Sequence, residues 1–409
     1  MTAGLGKKMS MRRRRSKING VFHNDVLVEV LQRAPPESVA RCKAVCKRWR
    51  YLISTPFFFD RFRSHHQSRE EECVATRCST AAHLFLFHPH FERLFSLDFL
   101  PFYEAAKNSK FVMGFCEGLL LCDQCHPRDK YHRFYYIVNP ITKTWVGRLP
   151  EAPALRRHYD IVVGFAYYPD LPRPRFKIVR ILPTRKHRPK SYFRFGTFCS
   201  ETGKWARGKV TSPEPIVWTP FMIMQAAVFH EGYLHWMDGG MRAILYDVEN
   251  DKIAFILNRP KEAAVHKEGF FCSGLCGGRF YAAELHHATL RIWELKHQGQ
   301  GRPEWTMQRQ VHLDDGSSIR HGREWLPVIS TLRLSLLAIH PVDINVVYIR
   351  IKNEAISCNL RTKTLKFFCK IPPPTTNNLT YSIMLPPWPT SIPQIFNSTD
   401  HPGKVIDGA

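Results

Sequence analysis

The sequence predicts an α+β multidomain protein, a small three-helix module followed by a mostly antiparallel all-β domain. Three observations predict it. Between Phe22 and Ile53, apolar residues recur at helical spacing in three short runs. From about His83 onward, short β-branched and aromatic runs alternate with turn residues. Within that region a polar turn followed by a large apolar residue returns at intervals near fifty residues. With 409 residues, 44% apolar and 12% aromatic, the chain can bury a large core beyond the helical module.

The first helix is expected to start at Asn24, whose side chain can accept from the free N–H groups of the first turn. Val26, Leu27, Val30 and Leu31 then share one face. Pro35 and Pro36 stop it, because proline lacks the N–H and restricts the residue before it. A second helix begins between Pro36 and Ser38 and aligns Val39, Cys42, Val45 and Cys46. A third, Lys47 to Ile53, carries Trp49, Leu52 and Ile53 until Thr55-Pro56 breaks it. None is long enough to be stable alone, so they pack on one another and on a partner.

This stretch resembles the F-box, the adaptor-binding segment of SCF-type ubiquitin ligase receptors. The match is carried by Asp25, Glu29, Leu31, Arg33, Pro35 or Pro36, Ser38, Val39, Arg41, Val45, Cys46, Lys47, Trp49, Leu52 and Ile53. One departure stands at its start, where Phe22-His23 replaces the usual Leu-Pro. The resemblance implies a Skp-family adaptor as partner and, through it, a cullin. Candidate adaptor-binding residues are Phe22, Val26, Val30, Leu31, Pro35, Val39, Val45, Trp49 and Leu52, acting as an apolar patch with aromatic anchors. Sequence leaves open which of these meet the partner and which form the module's own core.

The remainder reads as strands. HLFLF (83–87), GLLLC (118–122), FYYIV (134–138), DIVVGFAYY (160–168), FKIVRIL (176–182), AVFHEGYLHWM (227–237) and INVVYIRI (344–351) are rich in strand formers. Many are apolar on both faces, as for strands buried between neighbouring sheets. Asn139-x-x-Thr142-x-x-Trp145 recurs as Cys199-x-x-Thr202-x-x-Trp205, and more loosely from Asp247 to Ile253 and from Asn359 to Leu365. A looser hairpin joins LRIWELK (290–296) to EWTMQRQ (304–310). Each copy is a strand, a polar turn whose short side chains bond local backbone, and a second strand. The period points to propeller blades of the kelch kind.

These segments are similar to the associated domain that follows the F-box in many plant F-box proteins. GFCEGLLL (114–121), YIVNPITKTW (136–145), VGFAYYP (163–169), SETGKW (200–205), AVFHEGYLHWM (227–237) and LAIHPVDINVVYI (337–349) carry the similarity, over about 300 residues. The similarity implies a β-propeller whose loops recruit a protein substrate for ubiquitination. The kelch Gly-Gly pair is irregular, occurring only as Gly239-Gly240 and Gly277-Gly278. The expected organisation is a basic disordered tail (1–19), the F-box (20–66), the propeller-like domain (67–390) and a flexible C-terminal tail (391–409).

Net charge is +24, and residues 1–65 hold fifteen Lys/Arg against four Asp/Glu. Lys7, Lys8, Arg12 to Arg15 and Lys17 read as a nuclear localisation patch or a solvated tail. No run of eighteen apolar residues predicts a membrane span, and the N-terminus lacks the apolar stretch of a signal peptide. A nuclear or cytosolic location and reduced thiols follow as expectations. Positive charge also admits nucleic acid as a partner, but the chain shows no zinc-finger spacing, helix-turn-helix cue or RNP motif.

Cys122-Asp-Gln-Cys125-His126 is a literal CxxCH, the spacing of c-type haem attachment, and is expected in a hairpin loop. Cys122 and Cys125 could join Cys272, Cys276, His286 and His287 at a zinc site only across about 150 residues, whereas structural zinc pairs are close in sequence. No GxSxG, HExxH or P-loop is present. Trp145, Trp205 and Trp305 stand at equivalent turn–strand positions and read as blade core. His230, His235, Trp236 and His286-His287 are open between core and a substrate-facing loop. No cofactor, metal or catalytic residue is expected. The function implied is a non-catalytic substrate receptor; the alternatives are an F-box protein acting outside the ligase and a basic, nucleic-acid-associated propeller.

Overall fold

The computed structural model describes residues 23–34, 36–43, 45–55, 57–58, 61–62, 65, 72–77, 84–87, 99–100, 112–125, 133–140, 142–146, 149–150, 161–169, 174–182, 190–216, 226–237, 241–263, 271–286, 289–297, 301–313, 319–321, 324–326, 335–370, 379–384, 390, 392–393 and 395. Two compact units divide between Arg69 and Glu70.

The first unit contains α1 (Asn24–Arg33), α2 (Pro36–Cys42) and α3 (Lys47–Ile53). Asn24 is not the N-cap. That position is His23, in extended backbone and without a side-chain capping bond. Asn24 is already helical, and its Oδ1 accepts instead from Arg48 Nε at 3.0 Å, tying α1 to α3. Cys46 caps α3, its Sγ accepting from the Trp49 N–H at 3.4 Å. Leu27, Val28 and Leu31 of α1, Val39 of α2, Leu52 and Ile53 of α3, and Phe58 and Phe62 are buried. Glu29 adds a polar clamp: its carboxylate meets Arg61 at 3.0 Å and Arg33, and accepts from Gln32 Nε2 at 2.6 Å.

The second unit opens with β1 (Glu72–Arg77) and β2 (Leu84–Phe87). The first blade is β3 (Val112–Cys116), β4 (Leu119–Cys125), β5 (Arg133–Asn139) and β6 (Thr144–Val146). The second is β7 (Val162–Tyr168), β8 (Arg175–Leu182), β9 (Lys190–Cys199) and β10 (Lys204–Ile216). The third is β11 (Val228–His230), β12 (Tyr233–Met237), β13 (Ala243–Asp247) and β14 (Lys252–Leu257). The fourth is β15 (Phe271–Cys276), β16 (Arg279–His286), β17 (Thr289–Lys296) and β18 (Glu304–His312). After a short hairpin, β19 (Ile319–His321) and β20 (Glu324–Leu326), the fifth is β21 (Ser335–Ile339), β22 (Val346–Ile351), β23 (Glu354–Asn359) and β24 (Thr364–Lys370). Each blade is a four-stranded antiparallel meander. β25 (Leu379–Met384) pairs with β1, placing Cys73 opposite Ile383, and β1 pairs with β2. Strands from the two ends of the unit therefore share one sheet, as a ring of blades requires. The unit is a β-propeller.

Double-sided burial explains the runs that are apolar on both faces. Along β7, Val163, Phe165 and Tyr167 join Leu121, Tyr135 and Ile137 of the first blade. Val162 and Ala166, on the opposite face, join Leu234, Trp236 and Ile244 of the third. Met237 and Leu245 meet Phe280 and Trp293, and Tyr281 and Ile292 meet Leu336 and Ile349. The inner strands must lie close for this to work, and two glycines let them. A Cβ on Gly164 would fall 2.4 Å from Leu234 Cδ1 and 3.0 Å from Trp236 Cζ2; one on Gly114 would fall 2.8 Å from Phe165 Cβ. Gly196, with nothing nearer than 3.6 Å, has room. Gly164→Ala is therefore expected to cost about 1–3 kcal/mol by overpacking, and Gly196→Ala less than about 0.5 kcal/mol. Denaturant melts of the two variants check this; equal stabilities would contradict it.

The repeated polar motif occupies the same place in four blades, the turn between the third and fourth strands. Asn139 Oδ1 accepts from Thr142 N at 3.1 Å, Asp247 Oδ1 from Asn250 N at 3.0 Å, and Asn359 Oδ1 from Thr362 N at 3.0 Å. Four residues after each motif start, Lys143, Gly203, Asp251 and Lys363 all adopt positive φ. The looser 290–310 hairpin is the same turn of the fourth blade, between β17 and β18. Gly277-Gly278 forms a different turn, between β15 and β16, with both residues at positive φ; Glu117-Gly118 and Glu231-Gly232 repeat it in the first and third blades. Gly239-Gly240 lies outside the described residues.

The propeller does not stop at 390. Asn139 Nδ2 donates to Thr390 O at 2.7 Å, and Ile392 and Ile395 pack on the core shared by the first two blades. These side chains are drawn from the expected tail because that core leaves an apolar flank to cover. No helix among the described residues is long and apolar enough to cross a membrane.

Candidate docking surfaces

The first unit sorts its apolar residues into two sets. Leu31, Val39 and Leu52 are buried within it and are unavailable to a partner unless the unit opens. They pack with Leu27, Val28, Ile53, Phe58 and Phe62 among the buried apolar residues of the unit. Val26, Val30 (61% exposed) and Val45 face solvent. Trp49 is half-buried. Phe22 and Pro35 lie outside the described residues. Two exposed aromatics complete the outer set, Tyr51 (73% exposed) and Phe57. Sequence reading missed both: Tyr51 falls off the periodic stripe of α3, and Phe57 merges with Phe58 and Phe59.

Eight large apolar side chains are exposed among the described residues of the whole chain, and five of them are Val26, Val30, Val45, Tyr51 and Phe57. So many exposed apolar side chains on so small a unit exceed the scattered single exposures usual on a protein surface. Val26 and Val30, four residues apart, stand on one side of α1. Around them the charged residues are largely engaged inside the unit, as the Glu29–Arg33–Arg61 clamp shows.

In the propeller, the candidate residues go mostly to structure. Trp145 is buried near Phe99, ring centres 6.1 Å apart. Trp205 donates from Nε1 to Pro150 O at 2.9 Å, and Trp305 packs 6.3 Å from Phe280. His235 and Trp236 are buried, not loop residues. His235 Nδ1 bonds Val228 O at 3.2 Å, and its ring stacks on Phe280 at 4.5 Å. Burial, followed by the neighbouring His230, pushes its pKa down to about 3, so the ring is neutral. His287 lies outside the described residues.

The cysteine motif is not in a loop. Cys122 and Cys125 lie within β4, whose pairing with β5 runs on as far as Cys125 opposite Arg133. Cys122 is fully buried, and desolvation raises its pKa well above the usual thiol range. Cys272 and Cys276 are core residues of the last two blades, also raised by burial. These thiols are small hydrophobes. Among the described residues, no group of three or more His, Cys, Asp or Glu is placed to hold a metal ion.

Comparison with known proteins agrees with both units. Residues 24–64 match the F-box-like family model, and residues 92–379 match the model "F-box protein At3g26010-like, beta-propeller". Among similar Arabidopsis thaliana proteins, F-box protein At5g49610 is 28% identical over 67% of this chain and 75% of its own length. Putative F-box/kelch-repeat protein At1g15680 is 24% identical over 85% and 83%, and F-box protein At5g03970 is 22% identical over 84% and 82%.

Proposed function

The chain belongs to the plant F-box proteins with a β-propeller, and from that premise we propose that it is the substrate-recognition subunit of an SCF-type E3 ubiquitin ligase. The observation that carries the reading is the set of exposed apolar side chains on the helical unit, Val26, Val30, Val45, Tyr51 and Phe57. In this reading they are covered by a Skp-family adaptor and, through it, the chain joins a cullin. The propeller recruits a protein target. The chain supplies no reacting group; its contribution is to hold a substrate lysine near the charged ubiquitin carrier, converting a bimolecular encounter into an effectively intramolecular one.

Purified full-length protein mixed with purified adaptor tests the proposal directly. A stoichiometric complex in gel filtration is expected, and proteins that accumulate in cells only with a form lacking residues 1–66 would be its targets. Absence of a complex would transfer support to a second reading, an F-box protein working outside the ligase. That reading is favoured by one feature, the Phe22-His23 opening in place of Leu-Pro.

A further inference from the structure

The segment after α3 presents one aromatic ring to solvent and holds it in a fixed direction. Thr55 starts it: its Oγ1 accepts from the Phe58 N–H at 3.2 Å and donates to Leu52 O at 2.8 Å, which ties the backbone beside Phe57 to the end of α3. Phe58 and Phe62 turn inward, both fully buried, with ring centres 5.8 Å apart. Phe57 and Arg61 turn outward, and the guanidinium carbon of Arg61 lies 5.6 Å from the centre of the Phe57 ring. Arg61 is itself fixed from α1: Nε donates to Gln32 Oε1 and Nη2 to Glu29 Oε2, both at 3.0 Å. Gln32 Nε2 donates to the same Glu29 oxygen at 2.6 Å, and Arg33 pairs with the other oxygen.

Two features separate this ring from an ordinary exposed apolar side chain. The first is the weakness of the contacts that order it as a source of fold stability. Glu29 and Arg61 are 37% and 47% exposed, and ion pairs or cation–π contacts at such exposure contribute little. Their effect is to remove rotamer freedom from a ring that stays 60% exposed, and a side chain ordered in advance loses less entropy when a partner covers it. The second is position. Glu29, Arg33, Val26 and Val30 follow one another around an arc of about 100° on the outer side of α1. Phe57, reached from Glu29 through Arg61, therefore extends the surface formed by the two exposed valines.

We propose that Phe57 is an anchor of the adaptor interface and that Arg61 is the positioning residue that aims it, resting on the receptor reading above. The adaptor then offers an apolar slot for one aromatic ring, next to the surface that covers Val26 and Val30. Aromatic rings seated in desolvated pockets dominate interface energy, and the contact between Arg61 and the ring strengthens as water leaves it. Arg61 acts without touching the adaptor. Held by Glu29 and Gln32, it keeps the ring in the direction from which the slot receives it.

The test measures binding of full-length protein to purified adaptor across a double-mutant cycle of Phe57→Ala and Arg61→Met. Phe57→Ala should weaken affinity at least about thirtyfold. Arg61→Met should weaken it about fivefold while Phe57 is present, and less than about twofold in the Phe57→Ala background, where no ring remains to be aimed. A merely structural Arg61 would give equal losses in both backgrounds. Tyr192→Ala, which removes a ring of similar exposure (56%) on β9, should change affinity less than about twofold. Urea unfolding establishes that each variant is folded. Should Phe57→Ala not be, Phe57→Leu replaces it, with at least about threefold weakening and the same indifference to Arg61→Met, because leucine offers no ring face. Wild-type affinity in the folded Phe57 variant overturns the proposal, and additive losses overturn the role of Arg61. Self-association of the wild type that Phe57→Ala abolishes, with adaptor affinity unchanged, also overturns it and assigns the ring to a second copy. No complex with the wild type sinks the receptor reading and this inference together, whereas capture indifferent to both residues sinks this inference alone.

Discussion

Val26→Asp/Val30→Lys is expected to abolish adaptor capture by a unit that remains folded. Both positions are exposed, so little native packing is removed. The new charges also suit the helix: an acid in the first turn of α1 and a base toward its last turn complement the macrodipole, and the pair is spaced i,i+4. Helix stability should hold within about 0.5 kcal/mol. If the two valines are covered by a partner, two charges must instead be buried there. A loss of about 3 kcal/mol or more, a hundredfold or greater in affinity, follows. Leu31→Ala should do the reverse kind of damage. Its side chain is buried between the helices, and its truncation costs about 2–5 kcal/mol, enough to unfold so small a unit. The helical band in the circular dichroism of the full-length variants, which among the described residues comes from α1–α3, read with adaptor binding by surface plasmon resonance, separates the two. Wild-type affinity in the double variant would refute the assignment of the α1 surface.

The contrast between those variants shows what sequence could and could not say. Val26, Leu27, Val30 and Leu31 share an apolar stripe in sequence, yet two point inward and two outward. A stripe of that width fits either a core or a partner, and only the placement of α2 and α3 divides it. Asn24 was a plausible cap by residue type, but Arg48, twenty-four residues away, claims its side chain. The blade turns were legible because their chemistry is local: Asn139, Asp247 and Asn359 bond amides two or three residues on. The closure of the ring was not, since β1 and β25 are separated by some 300 residues and carry no signal for each other. Nor was the fate of the histidines. His230 and His235 sit in one hairpin, His297 directly follows the third strand of the fourth blade, and their proximity is a product of blade packing.

That packing predicts acid sensitivity. His235 is buried, stacked on Phe280, bonded through Nδ1 to Val228 O, and has His230 and His297 as neighbours, with Glu231 at 3.8 Å from His230. Desolvation comes first in holding its pKa near 3, with His230 next; the bond to Val228 O acts weakly in the other direction. In the unfolded chain a histidine titrates near 6.5. Between the two values the unfolded state binds a proton that the native state refuses. The stabilisation by a neutral His235 is therefore complete above about pH 6.5 and is lost as pH falls toward 3. At pH 5 the difference amounts to about 2 kcal/mol, from one and a half pH units at 1.36 kcal/mol each. Urea unfolding of the propeller, followed by tryptophan fluorescence at pH 7 and pH 5, should show this loss on top of smaller contributions from other groups. His235→Phe keeps a ring on Phe280 and removes the proton, so the drop between the two pH values should shrink by about 2 kcal/mol even if the variant is less stable at pH 7. His235→Gln provides a second, non-aromatic check. An unchanged pH slope in both variants would mean that His235 is protonated in the native propeller, and the hydrophobic seam between its third and fourth blades would then have to admit a charge.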